Sequence, residues 1–417
     1  MIGRVEAHNF RCLRYVKQDL DPFQVLVGPN ASGKTTFFDA VRFLGQLVAE
    51  GLDAAVRERS EDIRDLFWRR EGERFELAVE LVIPPRQRSL LKDAYARCRY
   101  EVAVGIDATT QENSILAEQV LLMPPEQRRP VQERLRFPKE PVGVDTILTQ
   151  RRSKTARWKV VIKKVPGGND CFYDERGRGW TPTFKLGSRK SALGNLPEDE
   201  SKFPVVMWLK GMLQEGMQNL VLNSAMMRRP SPPGRPRVFR TDGSNLPWVV
   251  EDLRRKAPER LAEWVAHLRT ALPDLEDVET RLRDEDRHRY LVVRYKDGLT
   301  VPSWMISDGT LRLLALTLLA YLPDLEGSYL IEEPENGIHP RAVETVFQSL
   351  SSVYDAQVLL ATHSPVILGL ARPEQVLCFA RTPQGATDIV DGSRHPALKE
   401  WRGETNLGTL YAAGVLG

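Results

Sequence analysis

Gly28-Pro29-Asn30-Ala31-Ser32-Gly33-Lys34-Thr35 decides how this chain is read. It fits the pattern G-x-x-x-x-G-K-[ST], with an apolar run over 23–27 that reads as a strand and a run over 36–44 that reads as a helix. Gly28 and Gly33 let the backbone curl so that successive N–H groups point inward at phosphate oxygens. The N-terminus of the following helix adds partial positive charge. Lys34 can reach β- and γ-phosphates, and the Thr35 hydroxyl can ligate Mg²⁺. The expected nucleotide contacts are therefore Gly28, Pro29, Asn30, Ala31, Ser32, Gly33, Lys34, Thr35 and Thr36.

Composition narrows the setting. A chain of 417 residues is long enough for two or three cores, or for one core with a large insertion. Its 42% hydrophobic and 28% charged residues are those of an ordinary soluble protein. The formal charge of +3 decides little, so distribution matters more. Cys12, Cys98, Cys171 and Cys378 lie far apart without a C-x-x-C pair, which argues against a zinc ribbon or a disulfide framework and suits a reducing compartment. The opening Met1-Ile-Gly-Arg-Val-Glu6 has no apolar signal core. The longest apolar run, Leu313 to Leu322, is about half of the ~20 residues a spanning helix needs. A cytoplasmic protein without a membrane segment is expected.

Outward from the phosphate loop, residues 2–8 and 14–20 read as strands around the turn Asn9-Phe10-Arg11-Cys12, and 53–70 as a second, charged helix. Residues 75–83 alternate with period two, with partners expected over 100–106 and 115–123 in an antiparallel meander. From 124 to about 197, prolines, arginines and short runs dominate, with one strand expected over 158–165. Residues 125–190 hold seventeen Lys and Arg against seven Asp and Glu, a local net charge of +10. Helical periodicity returns over 203–224 and 247–272, separated by a loop from Arg228 to Arg237. Residues 289–301 read as a hairpin turning at Asp297-Gly298. Beyond it, helices alternate with buried strands, the pattern of a parallel α/β core.

The second half supplies further candidate site residues. The buried strand 328–331 runs into Glu332-Glu333-Pro334-Glu335, and acids at that end of a core strand face the ligand crevice of an open α/β sheet. Glu332 is placed to hold Mg²⁺, directly or through water, and Glu333 to polarise an attacking water. The strand 357–361 leads into Thr362-His363-Ser364-Pro365, where His363 is placed to hydrogen-bond a γ-phosphate. Ser307-Asp308-Gly309-Thr310 opens an apolar helix, either as a second anion cradle or as a purely structural N-cap.

In this order, the phosphate loop, Ser-Asp-Gly-Thr, Glu-Glu-Pro-Glu-Asn-Gly-Ile-His-Pro and Ala-Thr-His-Ser-Pro resemble the ABC-type ATPases of the SMC/RecF/OLD group, most of all the small ATPases without a coiled coil. Asn9-Phe10-Arg11, Asp242 to Leu246 and Leu407 to Tyr411 are similar to segments of that group. The resemblance covers about 1–50 and 240–417 and says little of 85–240. It implies an α/β fold: a P-loop head with a mostly parallel core sheet and an antiparallel meander. Residues 1–124 and 286–417 would form the head, and 125–285 a basic insertion of helix and loop.

The resemblance also implies ATP and Mg²⁺ as cofactors, Lys34, Glu333 and His363 as catalytic residues, and Thr35 and Glu332 at the metal. Arg11 would lie near the nucleotide. Two heads would sandwich two ATPs, so that Ser307, Asp308, Gly309 and Thr310 of one chain meet the γ-phosphate held by Lys34 of the other. Glu332 stands where the group usually has Asp, and the group's loop glutamine is not fixed among Gln46, Gln87 and Gln119.

Three functions fit this reading. The first is an ATP-hydrolysing homodimer, or a larger assembly, acting on DNA or in a DNA-linked process such as repair or phage defence. The basic 125–190 segment and Arg228 to Arg240 are its DNA surface, unless those arginines pair with local acids. The second is a slowly hydrolysing scaffold that controls a separate effector. OLD-type relatives carry a nuclease domain after the His motif, whereas 54 residues follow His363 here. A transport ATPase, the third, is disfavoured by the long basic insertion and by the Glu-Glu-Pro-Glu form of the acidic motif.

Overall fold

Phe23–Val27 forms a strand whose side chains divide between two cores, and that alternation organises the molecule. Leu26 faces one core, while Val25 and Val27 face the other. Its sheet neighbours divide the same way: Leu359 and Ala361 against Val358 and Leu360, Leu377 and Phe379 against Val376 and Cys378. A strand buried on both faces is apolar along most of its length, here interrupted near its start by Gln24, Ser328 or Gln357, which is why these segments read as apolar runs.

The computed structural model describes residues 1–91, 94–125, 134–150, 158–165, 167–177, 182–234, 238–398 and 406–416, and among these the following elements form. In chain order the strands are β1 (Ile2–Phe10), β2 (Leu13–Asp19), β3 (Phe23–Val27), β4 (Arg74–Val82), β5 (Arg97–Ile106), β6 (Asn113–Met123), β7 (Lys159–Lys164), β8 (Asp170–Phe172) and β9 (Thr183–Phe184). Then follow β10 (Met217–Leu220), β11 (Leu275–Leu282), β12 (Arg289–Tyr295), β13 (Thr300–Pro302), β14 (Ser328–Glu332), β15 (Gln357–Ala361), β16 (Val376–Arg381) and β17 (Thr387–Asp391).

The core sheet has the order β10-β14-β15-β3-β16-β17 and is parallel except at β16–β17. An antiparallel sheet of eight strands, β2-β1-β4-β5-β6-β7-β8-β9, covers one side, and the small separate sheet β11-β12-β13 packs Val278, Leu291 and Val293 into the core on the other. This is the α/β head expected from the sequence, a mostly parallel sheet with an antiparallel meander.

The first core joins the two large sheets through the helix Lys34–Glu50, with Phe37, Phe38, Val41 and Leu44 buried. Phe10, Phe43 and Phe75 meet there with ring centroids 5.1–6.0 Å apart. Helices Leu246–Lys256, Pro258–Ala271, Asp308–Leu318 and Pro340–Ser351 contribute to the second core. The first two of these are separate because Pro258 forces Ala257 out of the helical region, to φ −145° and ψ 68°. Gln357 fastens the sheets together: its Oε1 accepts from Ile2 N at 2.9 Å and Ser328 Oγ at 2.8 Å, and its Nε2 donates to Ile2 O at 2.9 Å and Asp21 O at 3.0 Å.

Two expected helices are corrected. Residues 53–70 hold only the short helix Leu52–Arg57 and two 3-10 turns, Ile63–Leu66 and Trp68–Arg70. The apolar Ile63, Leu66 and Phe67 turn toward β1, where Arg11 N donates to Leu66 O at 2.9 Å. The helix expected over 203–224 stops at Gln214, and Met217–Leu220 becomes the parallel edge strand β10. Gly216 O accepts Ser328 N–H at 2.7 Å, so pairing with β14 overrides local helical preference.

Residues 125–285 contribute strands to all three sheets: β7, β8 and β9 to the meander, β10 to the core sheet and β11 to the small sheet. Of the cations counted there, Arg128, Arg129, Arg151, Arg152, Lys154, Arg157 and Arg178 lie outside the described residues, as do Arg235 and Arg237 of the expected loop.

Candidate functional site

The phosphate loop joins β3 to the helix Lys34–Glu50, and two glycines set its path. At Gly28 (φ +155°) a Cβ would stand 2.1 Å from Phe379 O, and at Gly33 (φ +106°) one would stand 2.2 Å from Thr387 Oγ1. The loop is thus pressed against β16 and β17, and Thr387 Oγ1 donates to Ser32 O at 2.9 Å. Lys34 Nζ folds back over it, donating to Gly28 O at 2.7 Å and Pro29 O at 3.1 Å. Burial lowers the Lys34 pKa to about 8, against the upward pull of Glu333 and Glu332.

β14 delivers the acids. Thr35 Oγ1 donates to Glu332 Oε2 at 2.7 Å, so the longer Glu side chain reaches the hydroxyl across the crevice. These are two hard oxygens side by side, and Mg²⁺ is commonly held by one or two protein oxygens with phosphate and water completing its shell. The donor set fits that ion. Glu333 follows with φ +49°, a strained conformation for a non-glycine residue. It is fixed by its N–H donating to Ala361 O at 2.7 Å and by Asn336 Nδ2 donating to its carboxylate.

β15 delivers His363. Thr362 Oγ1 donates to Glu335 Oε1 at 2.6 Å, tying the end of this strand to the acidic turn. His363 Nδ1 lies 3.1 Å from the Tyr411 hydroxyl, which donates to Gly28 O at 3.2 Å. With the phenolic proton on Gly28, Nδ1 must carry the imidazole proton, which leaves Nε2 as an acceptor. Burial and then the Lys34 ammonium lower the His363 pKa, opposed by Glu333 and Glu335, so the ring is neutral at pH 7. As an acceptor, Nε2 suits a water better than a phosphate oxygen.

One cleft of about 430 Å³ gathers these groups: residues 30–36 of the phosphate loop with Glu332, Glu333, His363 and Arg11. Gly28 and Pro29 lie behind it, supplying carbonyls to Lys34. Arg11 (φ +49°) lines the cleft while its Nη1 pairs with Asp39 at 2.9 Å, and Asp39 also holds Arg59 at 2.8 Å. No sequence motif marks Asp39, Arg59 or Tyr411 as functional. The first two are set by tertiary contact alone, and Tyr411 is the last residue of the Leu407-to-Tyr411 segment. Gln46, Gln87 and Gln119 do not line the cleft. Gln46 accepts from Arg59 Nη1 at 2.7 Å, and Gln119 donates to Thr149 O at 2.9 Å.

Ser307, Asp308, Gly309 and Thr310 lie outside this cleft. Ser307 Oγ caps its helix by accepting Thr310 N–H at 3.2 Å, and Asp308 pairs with Arg228 at 2.6 Å. A Cβ on Gly309 would stand 2.4 Å from Gly337 O, so the helix start packs directly on the loop that follows the acids.

Two family models match parts of the chain: "AAA ATPase domain" over residues 1–155, and "AAA domain, putative AbiEii toxin, Type IV TA system" over residues 215–369. A search of curated proteins found no match. Among solved structures, an SMC head bound to the C-winged helix domain of ScpA is similar at 14% identity, covering 93% of this chain and 96% of that one with a TM-score of 0.52. The SMC head domain from Thermotoga maritima follows at 12% identity, 94% and 98% coverage and TM-score 0.45. So does the Pyrococcus furiosus SMC head with an extended coiled coil, bound to the C-terminal domain of ScpA, at 12%, 93% and 95%, and 0.46. The fold comparison rests on the first of these. That comparison gives the chain the fold of an SMC ATPase head, and the two family matches add a likeness to AAA-type ATPase domains over residues 1–155 and 215–369.

Proposed function

We propose that this chain binds ATP with Mg²⁺, closes face to face with a second copy around it, and hydrolyses it. The observation that carries this reading is the convergence of Lys34, Thr35, Glu332, Glu333 and His363 on one cleft. Lys34 and the loop N–H groups hold the phosphates, Thr35 and Glu332 hold the metal, and Glu333 takes a proton from the attacking water while Nε2 of His363 orients that water. When bound, Mg²⁺ would supply charge neutralisation to the phosphates beside Thr35 and Glu332. Ser307 to Thr310, outside the cleft of their own chain, complete the partner's. The test is phosphate release by the purified chain, compared with Glu333→Gln. Wild-type turnover in that variant removes Glu333 from the role of base.

The head acts on DNA through the basic stretch. Arg134, Lys164 and Arg189 are ion-paired there, but Arg136, Lys139, Lys163, Lys185 and Lys190 have no ion-pair partner among the described residues. Affinity for duplex DNA measured at two salt concentrations tests this, since phosphate contacts weaken steeply with salt. A second reading, control of a separate effector, is favoured by the toxin-system description of the matched family. Capture of one defined partner, released on ATP addition, supports it, whereas DNA cleavage by the chain alone contradicts it.

A further inference from the structure

A second cavity, of about 550 Å³, opens at the other end of the core sheet, where β10 and β14 begin. Its back wall is a close backbone approach: a Cβ on Gly327 (φ +99°) would stand 2.5 Å from Gly216 O. Trp208, Phe239 and Tyr329 give it aromatic surface, and Met212 and Leu253 aliphatic surface. Tyr329 is only 1% exposed and lines this cavity, yet its hydroxyl has no hydrogen-bond partner among the described residues. The hydroxyl is not among the fully buried unpartnered side-chain atoms, so it is open to the cavity and available to a ligand. Burial raises its pKa to about 12, so the proton stays on the oxygen at physiological pH.

The charge around the opening is one-sided. Glu215, Asp324 and Glu326 are exposed there, and none has an ion-pair partner among the described residues. Lys256, the cation of the lining, is held by Asp252 at 2.7 Å. The helix Pro204–Gln214 ends at the same rim with no basic residue in its last turn, so its terminal carbonyls add negative potential. A volume of this size suits a small molecule.

We propose that this cavity binds a small organic cation, a protonated amine or guanidinium carried on an aromatic or aliphatic body. The body packs against Trp208 and Phe239, its polar group bonds the Tyr329 hydroxyl, and its charge meets Glu215, Asp324 and Glu326. This goes beyond the nucleotide reading and does not depend on it. Tyr329 and Glu332 lie on one strand three residues apart, or about 10 Å at ~3.3 Å per residue.

The test titrates tryptamine, phenethylamine and agmatine into the full chain by calorimetry, with indole-3-propionate as an aromatic body of opposite charge. Saturable binding of at least one amine is expected, with none for the carboxylate. Tyr329→Phe removes only an unpartnered hydroxyl and should weaken amine binding about tenfold. Combined Asp324→Asn and Glu326→Gln, both at exposed positions that leave the fold intact, should weaken it about tenfold or more. The proposal is overturned if none of the amines binds saturably, if the carboxylate binds equally well, or if both variants keep wild-type affinity.

Discussion

Glu333 and Lys34 make the sharpest demands at the scale of single residues. Replacing Glu333 with Gln keeps the side-chain size and the Asn336 contact but removes the base. Turnover should fall about 10²- to 10⁴-fold while ATP affinity stays within a few-fold, read by phosphate release and equilibrium binding. Lys34→Ala acts on binding itself, with triphosphate affinity about ten- to a hundred-fold weaker. The pH dependence has a definite sign. Free Lys34 titrates near pH 8, and a bound triphosphate favours its charged form. Binding above pH 8 therefore takes up a proton, and ATP affinity should decline as pH rises from 8 to 9.5, a trend absent from Lys34→Ala. Tyr411→Phe would release the His363 tautomer, lowering turnover without weakening ATP binding.

At the scale of elements, legibility followed burial. β3, β14 and β15 were readable because strands covered on both faces are mostly apolar, and their ends then marked Lys34, Glu332, Glu333 and His363 as residues sharing a crevice. β10, with the sequence Met217-Gln-Asn-Leu220, carries no such run, since it pairs on one side only and leans on β14. β8 and β9 are too short, at three and two residues, to leave a periodicity at all. Two predictions belong here. Gln357→Ala strands Ile2 and Asp21 polar groups in a buried joint and should lower unfolding stability by about 3 kcal/mol, seen as a reduced urea midpoint. Ser307→Ala loses its cap and should lower stability by about 1 kcal/mol. Turnover lower by more than tenfold in that variant marks Ser307 as part of a partner's pocket, whereas a change in stability alone marks it as a cap.

For the whole molecule, the decisive expectation concerns association. With ATP, Mg²⁺ and Glu333→Gln, sedimentation should report a doubled mass that reverts when nucleotide is removed. A species that stays single under these conditions, together with full turnover in Ser307→Ala, rules out the two-headed arrangement. The meander and the core sheet were each legible as classes. Their joining by Gln357 was not, because a lone buried amide between sheets has no signature in local sequence.

The position of β3 between β15 and β16 has a consequence for biosynthesis. Between finishing Val27 and beginning Gln357 the ribosome adds 329 residues (28 to 356), so the strand that carries the phosphate loop must wait for both of its neighbours. Such distant pairing forms late. Nascent chains arrested before Gln357 should already shield β4, β5 and β6 from protease while Phe23–Val27 is still cut, and ATP should protect only chains that have cleared Arg381.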